Sequence, residues 1–196
     1  MAKSPGAGRS KRRLAASVGT TQAMRFYRAC LVHTLMRLGR DPRWKTLLAV
    51  SPDSDIGAAF WPHGVKRLPQ GQGHLGVRMQ RLFRRLPPGP VIIVGSDVPA
   101  IRASDVACAF RLLGNCDAVF GKAPDGGYWL VGLCRTPRLL APFAGVRWSG
   151  PHALADTLGN LEGQRVAFAA TRSDVDSEED YRRLHRDWER LIPPAV

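Results

Sequence analysis

Acidic residues are scarce in this 196-residue chain: 16 Asp and Glu stand against 29 Lys and Arg, giving a formal net charge of +13. Through residue 45, eleven Lys and Arg meet a single acid, Asp41, so +10 of that surplus sits at the N-terminal end. Such a patch can hold nucleic acid or an anionic surface. However, aromatic residues are not interleaved with it, and helix-turn-helix, zinc-finger and RNA-recognition signatures are missing, which argues against a nucleic-acid binder. The field suits a polyanionic nucleotide instead, with much of the surplus simply solvated. Long apolar runs are lacking as well. Nothing approaches the roughly 20 residues of a membrane span, or a signal-peptide core, so the chain reads as cytoplasmic. The four cysteines, Cys30, Cys108, Cys116 and Cys134, form no Cys-x-x-Cys pair and read most simply as buried thiols in a reducing compartment. No repeat or Gly/Ser linker divides the chain, and 44% hydrophobic content supports one domain over residues 1–196.

Against this background one run stands out. Val91-Ile92-Ile93-Val94 is aliphatic without alternation, as in a strand buried on both faces of a parallel sheet, and Gly95-Ser96-Asp97-Val98-Pro99 follows it. Ligands of such sheets collect where strands end, so Asp97 falls where oxygen ligands for Mg²⁺ and a bound phosphate are often presented; capping of the next helix is the structural alternative. A second run, Pro124-Asp125-Gly126-Gly127-Tyr128-Trp129, joins two apolar strands through an Asp-Gly turn. That is ordinary hairpin chemistry, although two glycines permit close backbone approach and the aromatics bring a face and polar tips beside a carboxylate. A third acidic group, Asp174-Val175-Asp176-Ser177-Glu178-Glu179-Asp180, is largely explained by helix initiation, with Asp174 and Asp176 ahead of the helix and able to reach a metal. The segment from Ala2 to Leu14 is rich in glycine and cations, which suits a loop holding a di- or triphosphate, although the Walker A spacing is missing and a basic tail would have the same composition.

The periodicity predicts helices at about 19–39, 73–86, 103–114, 150–161 and 177–191, with strands near 45–51, 65–69, 90–95, 117–122, 127–134 and 165–170. In the first helix Ala23, Tyr27, Cys30, Leu31, Leu35 and Leu38 recur at core spacing, which makes Tyr27 a packing residue. Alternating strands and helices with a hairpin at Asp125 give an α/β fold: a three-layer α/β/α sandwich around a mostly parallel sheet with one antiparallel strand.

Six segments in order, Ala2 to Leu14, Gln70 to Met79, Gly95 to Pro99, Pro124 to Leu133, Val146 to Pro151 and Asp174 to Asp180, resemble the small bacterial GT-A-like transferases related to nucleotide-sugar glycosyltransferases. That group is sometimes associated with arsenosugar biosynthesis and is more distantly similar to the guanylyl- and cytidylyltransferases of cofactor synthesis. The resemblance implies the same sandwich and a nucleotide-dependent transferase that uses Mg²⁺ or Mn²⁺. It implies phosphate or nucleotide contacts from Lys3, Gly6, Gly8, Arg9, Lys11, Arg13, Gln70, Gly71, Gly73, Gly76 and Arg78, and metal ligands at Asp97, Asp174 and Asp176. Gly126, Gly127, Tyr128, Trp148 and Ser149 would line the acceptor or sugar, with Asp125 as the base that takes the acceptor's proton. The reaction is either glycosyl transfer from a nucleotide sugar to a small acceptor or nucleotidyl transfer with release of pyrophosphate; a basic binding module without chemistry is the third alternative.

Three departures from the resemblance matter. His74 stands where relatives usually carry Asp, and Arg12 where they carry Thr. In relatives the phosphate loop also follows a buried strand, whereas here it begins at Met1. The expectation is therefore that the coding sequence continues upstream with a Val/Ile/Leu-rich segment, that the first strand is missing from this chain, and that residues 1–13 are loosely held beside a gap in the sheet.

Overall fold

The structure, a computed structural model, describes residues 1–5, 11–135, 138–175, 178–182 and 184. Strands β1 (Ala2–Lys3), β2 (Leu47–Ser51) and β3 (Lys66–Pro69) form a parallel sheet in that order. Strands β4 (Val91–Val94), β5 (Ala118–Lys122), β6 (Tyr128–Leu133) and β7 (Val166–Ala169) form a second, mixed sheet in the order β4-β6-β5-β7. In it β6 runs antiparallel to both neighbours, and β5 and β7 run parallel. The helices are α1 (Arg12–Val18), α2 (Thr20–Gly39), α3 (Leu75–Arg85), α4 (Ala103–Leu113) and α5 (Ala153–Gly159).

Side-chain alternation along β5 explains how the mixed sheet is covered. Val119 faces Val106, Ala109 and Leu113 of α4 and Leu38 of α2, while Ala118 and Phe120 face Met79 and Phe83 of α3 together with Leu154 and Leu158 of α5. Both faces are thus packed by helices, and the hairpin at Asp125 joins β5 to β6 as its turn chemistry predicts. On α2 the residues at core spacing are all buried, and Phe26 and Thr34 join them.

The structure corrects three expectations. The segment from Arg12 to Val18 is helical rather than loop: Leu14 is fully buried against Ala23, Phe26, Cys30 and Val175. Gly19, at φ +85°, breaks the chain between α1 and α2 in a conformation that side chains resist. Residues 1–5 are not loose, since Ala2 and Ser4 are each 2% exposed and the Ser4 N–H donates to the Ser51 carbonyl at 2.7 Å.

The third correction concerns the sheet, which is divided in two. β1 is only two residues long; it pairs with β2 and reaches β4 through the Met1 amino group, which donates to the Val94 carbonyl at 2.7 Å. Among the described residues no strand lies between the remaining edges of β2 and β4. For the same reason Val91–Val94, expected to be enclosed, is half-buried at all four positions. Of the helix expected at 177–191, residues 178–182 and 184 are helical, and the rest lies outside the described residues.

Candidate functional site

At the ends of β1, β4 and β6 a cavity of about 740 Å³ opens, and its walls come from both sheets. Of the residues expected at a site, Lys3, Lys11, Arg13, Gln70, Arg78, Asp97, Asp125, Tyr128 and Ser149 line it. Gly71, Gly73, Gly76, Gly126, Gly127, Trp148 and Asp174 do not. Gly6, Gly8, Arg9 and Asp176 lie outside the described residues.

The phosphate-suited side is built from the start of the chain and the turn after β4. Lys11 sits in the left-handed region at φ 53°, and its Nζ lies 2.7 Å from Asp97 Oδ2, with side-chain exposures of 3% and 32%. This pair connects the N-terminal segment with the end of β4. Tyr27 of α2 supports it from below. Its hydroxyl accepts from the Lys3 N–H at 2.9 Å, donates to the Lys3 carbonyl at 3.0 Å and lies 3.0 Å from Ser96 Oγ, which uses its one proton and both lone pairs. Burial raises the pKa of this phenol above its ordinary value, so it stays protonated and able to donate. Sequence periodicity identified Tyr27 only as packing; a polar tip at a core position was the available signal that it also needs a partner.

Gln70 organises the opposite wall. Its side chain is 2% exposed; Nε2 donates to the Ala2 and Ala49 carbonyls at 3.0 and 2.9 Å, and Oε1 accepts from the Arg78 guanidinium at 2.9 Å. Arg78 reaches Ser51 Oγ at 3.3 Å with the same nitrogen. Burial, with Arg81 nearby, lowers the Arg78 pKa, yet a guanidinium stays charged at any ordinary pH. The three glycines expected to approach a ligand each have close protein neighbours in this structure. Gly71, at φ +75°, leaves room for the Arg81 guanidinium, which donates to the Gln70 and Gln72 carbonyls at 2.7 and 2.8 Å. Gly73, at φ +107°, turns the chain into α3. A Cβ on Gly76 would lie 2.7 Å from the Trp148 ring and 2.9 Å from Phe143.

On the far side, Asp125 Oδ1 accepts the Gly127 N–H at 2.9 Å, which fixes one carboxylate oxygen in an Asx turn. Gly126, at φ +84°, lies so close to the Pro151 backbone that a Cβ would overlap it. The loop over the turn brings Ser149 to the cavity at φ 65°, a sparsely populated conformation for a non-glycine residue and of a kind that clusters at functional sites. Trp148 instead packs on Phe143 and edge-on to Tyr128. Tyr128 has its hydroxyl 3.4 Å from Thr157 Oγ1, and burial pushes its pKa well above the ordinary value.

Among the described residues no group of three His, Cys, Asp or Glu is arranged to cage a metal ion. Mg²⁺ does not need one: it is commonly held by one or two carboxylates together with substrate phosphates and water. Asp97, a partly exposed carboxylate beside a buried lysine at the mouth of the cavity, fits that mode.

The α/β fold of this chain has solved counterparts. A protein of Desulfovibrio desulfuricans G20, described as a candidate nucleotide-diphospho-sugar transferase, is 26% identical, with a TM-score of 0.83 over 94% of this chain and 84% of its own. Rv0371c of Mycobacterium tuberculosis H37Rv shares the fold at 18% identity and a TM-score of 0.57, covering 94% of this chain and 93% of that one. Its homologue from Mycobacterium sp. strain JC1 does so at 18% and 0.58, over 83% and 84%. Residues 34–150, more than half of the chain, match the family described as uncharacterized protein conserved in bacteria, DUF2064, and the chain belongs to that family. No curated protein matches the sequence. No helix of the described residues is long and apolar enough to cross a membrane.

Proposed function

We propose that this chain is a metal-dependent transferase with the GT-A-like three-layer architecture, taking a sugar from a nucleotide-sugar donor to a small acceptor. The observation that carries the reading is the composition of one cavity: Lys3, Lys11, Arg13 and Arg78 meet Asp97 and Asp125 at the ends of strands from both sheets. Four cations around two carboxylates match a phosphate chain. Likeness to a candidate nucleotide-diphospho-sugar transferase supports the donor class.

In this reading Lys11 and Arg13 neutralise the phosphates, and Tyr27, by holding both backbone groups of Lys3, keeps the phosphate-binding segment in place. Gln70 orients Arg78 toward the nucleotide. Mg²⁺ or Mn²⁺ held by Asp97, with Asp174 and Asp176 as the other candidate ligands, would supply charge neutralisation on the departing phosphate oxygens. Asp125, anchored through Oδ1, takes the acceptor hydroxyl's proton with Oδ2, beside Tyr128 and Ser149. The surplus of cations fits a triphosphate as well as a diphosphate, which favours nucleotidyl transfer as the second reading.

The test is a panel of nucleotides and nucleotide sugars with Mg²⁺ or Mn²⁺, read first by thermal shift and then by product. A nucleotide sugar that raises the melting temperature only with metal, and is turned over to a nucleoside diphosphate, is the expected result. Pyrophosphate as product selects the second reading. Binding without turnover of any member removes the enzymatic reading. The variant Asp97→Asn should lose the metal-dependent part of the shift.

A further inference from the structure

In the empty cavity a cation already sits on Asp97. Lys11 Nζ lies 2.7 Å from Asp97 Oδ2, and the lysine side chain is 3% exposed. The other carboxylate oxygen, Oδ1, lies over Gly95, where an added Cβ would come within 3.1 Å of it. The main chain of Lys11 is fixed, because its carbonyl accepts the Ala15 N–H at 2.8 Å in the first turn of α1 and the fully buried Leu14 pins that helix. Its four-carbon stem keeps its rotatable bonds, so the ammonium can swing about a fixed Cα.

The ammonium stands where a divalent ion would bind. Mg²⁺ sits about 2.1 Å from a carboxylate oxygen, and an ammonium sharing that oxygen would lie within about 5 Å of it, where like charges repel strongly. The rest of the lining adds to the exclusion: Lys3, Arg13 and Arg78 face a single further carboxylate, Asp125, so a free cation meets a positive field. Lys11 does not simply withdraw, since a buried ammonium parted from its carboxylate is an uncompensated charge. The buried groups beside the pair give no substitute, because burial keeps the Tyr27 phenol and the Cys30 thiol protonated and neutral. Release therefore needs another anion. A phosphate chain supplies one: the ammonium moves to a phosphate oxygen, Oδ2 is left to the metal, and the phosphate bridges the two with no proton transferred.

Resting on the reading that this cavity holds a nucleotide's phosphates, we propose that Lys11 sets the specificity of the metal site. It occupies Asp97 in the empty protein, excludes free divalent cations, and yields the carboxylate when a phosphate chain arrives. The species recognised is a metal–polyphosphate complex, and the metal does not bind ahead of the phosphates.

The experiment uses Mn²⁺ and pyrophosphate as probes on the 196-residue protein and on the variants Lys11→Met and Lys11→Met/Asp97→Asn. Mn²⁺ uptake is read by water proton relaxation and stability by thermal shift, neither of which depends on turnover. The parent should bind Mn²⁺ alone only weakly, and should gain a metal-dependent rise in melting temperature when pyrophosphate is present. Lys11→Met should bind Mn²⁺ alone about tenfold or more tighter than the parent, and the double variant should lose that site. Binding of Mn²⁺ alone by the parent as tightly as by Lys11→Met overturns the proposal. So does a Lys11→Met protein without an Asp97-dependent site, or a parent whose response to Mn²⁺ is the same with and without pyrophosphate. Should Lys11→Met give no folded protein, Lys11→Gln is judged by the same outcomes. The transferase reading fails separately, in the nucleotide-sugar panel: a blank panel beside the expected Mn²⁺ results removes sugar transfer and leaves the exchange at Asp97 standing.

Discussion

Replacing Tyr27 with Phe removes one oxygen atom from the core and three hydrogen bonds with it: those to the Lys3 N–H, the Lys3 carbonyl and the Ser96 hydroxyl. The ring keeps its place, since Tyr27 is 3% exposed among Ala23, Cys30 and Leu31 of the same buried face. What changes is that Ser96 Oγ and the Lys3 backbone lose a partner in a partly enclosed place. A hydrogen bond contributes about 1 kcal/mol net and an abandoned buried polar group costs about 1–3 kcal/mol; with some rehydration at Lys3 the loss should be about 2–3 kcal/mol. At this chain length that is a fall in melting temperature of about 5–10 °C. Urea denaturation followed by far-UV circular dichroism reads it as a lower midpoint at unchanged m. Because the hydroxyl also positions Lys3 at the cavity, nucleotide affinity measured well below the melting temperature should weaken in the same variant. A loss below about 0.5 kcal/mol, within the spread of surface substitutions, would refute the view that this phenol holds the N-terminal segment.

Other expectations follow from the same geometry. Asp125→Asn should lower turnover about 10²- to 10⁴-fold while donor affinity stays near that of the parent, since a general base acts on the acceptor's proton; parallel losses of both would make Asp125 a donor contact. Gly126→Ala should destabilise the protein by about 2 kcal/mol or more in a urea titration, from the positive φ and the overlap with Pro151 together. In protein that retains Met1, the depressed pKa of the buried amine, from 8.0 to about 6, means that the unfolded chain binds more protons between those values. Stability should therefore rise with pH across 6 to 8, by about 2–3 kcal/mol from this group, and Nα-acetylation should remove that rise; an unchanged profile after acetylation would show the amine to be solvated.

Much of the fold could be read from the chain because local chemistry and tertiary packing agree. The apolar runs at 47–51, 91–94 and 118–122 became strands, Asp125-Gly126 became a hairpin turn, and Leu31, Leu35 and Leu38 face the core at the spacing a helix requires. α1 was missed because Arg12-Arg13 reads as a charged loop, and only contact with Phe26 and Cys30 shows that Leu14 is core. The division of the sheet was not legible from any one strand, since pairing across β1 is a long-range property. Within the site, Asp97 and Asp125 were singled out by their turns. The neighbours of Gly71 and Gly76 were not, because the approach of Arg81 and Trp148 to them depends on residues distant in sequence.

The seam between the sheets also has a mechanical meaning for the cavity that crosses it. Lys3 and Gln70 belong to one half of the molecule and Asp97, Asp125 and Tyr128 to the other, while Arg78, on the helix α3 that covers the mixed sheet, reaches across to Gln70 and Ser51. Between them run a two-residue strand, the Met1–Val94 bond and the Lys11–Asp97 ion pair. A ligand whose phosphates engage the first half and whose transferred group rests on the second is tied to both banks of this joint, and acts on the protein as a rivet acts on two plates. Its grip and the alignment of the halves are then one free energy: anything that stiffens the seam tightens the ligand, and anything that tightens the ligand stiffens the seam.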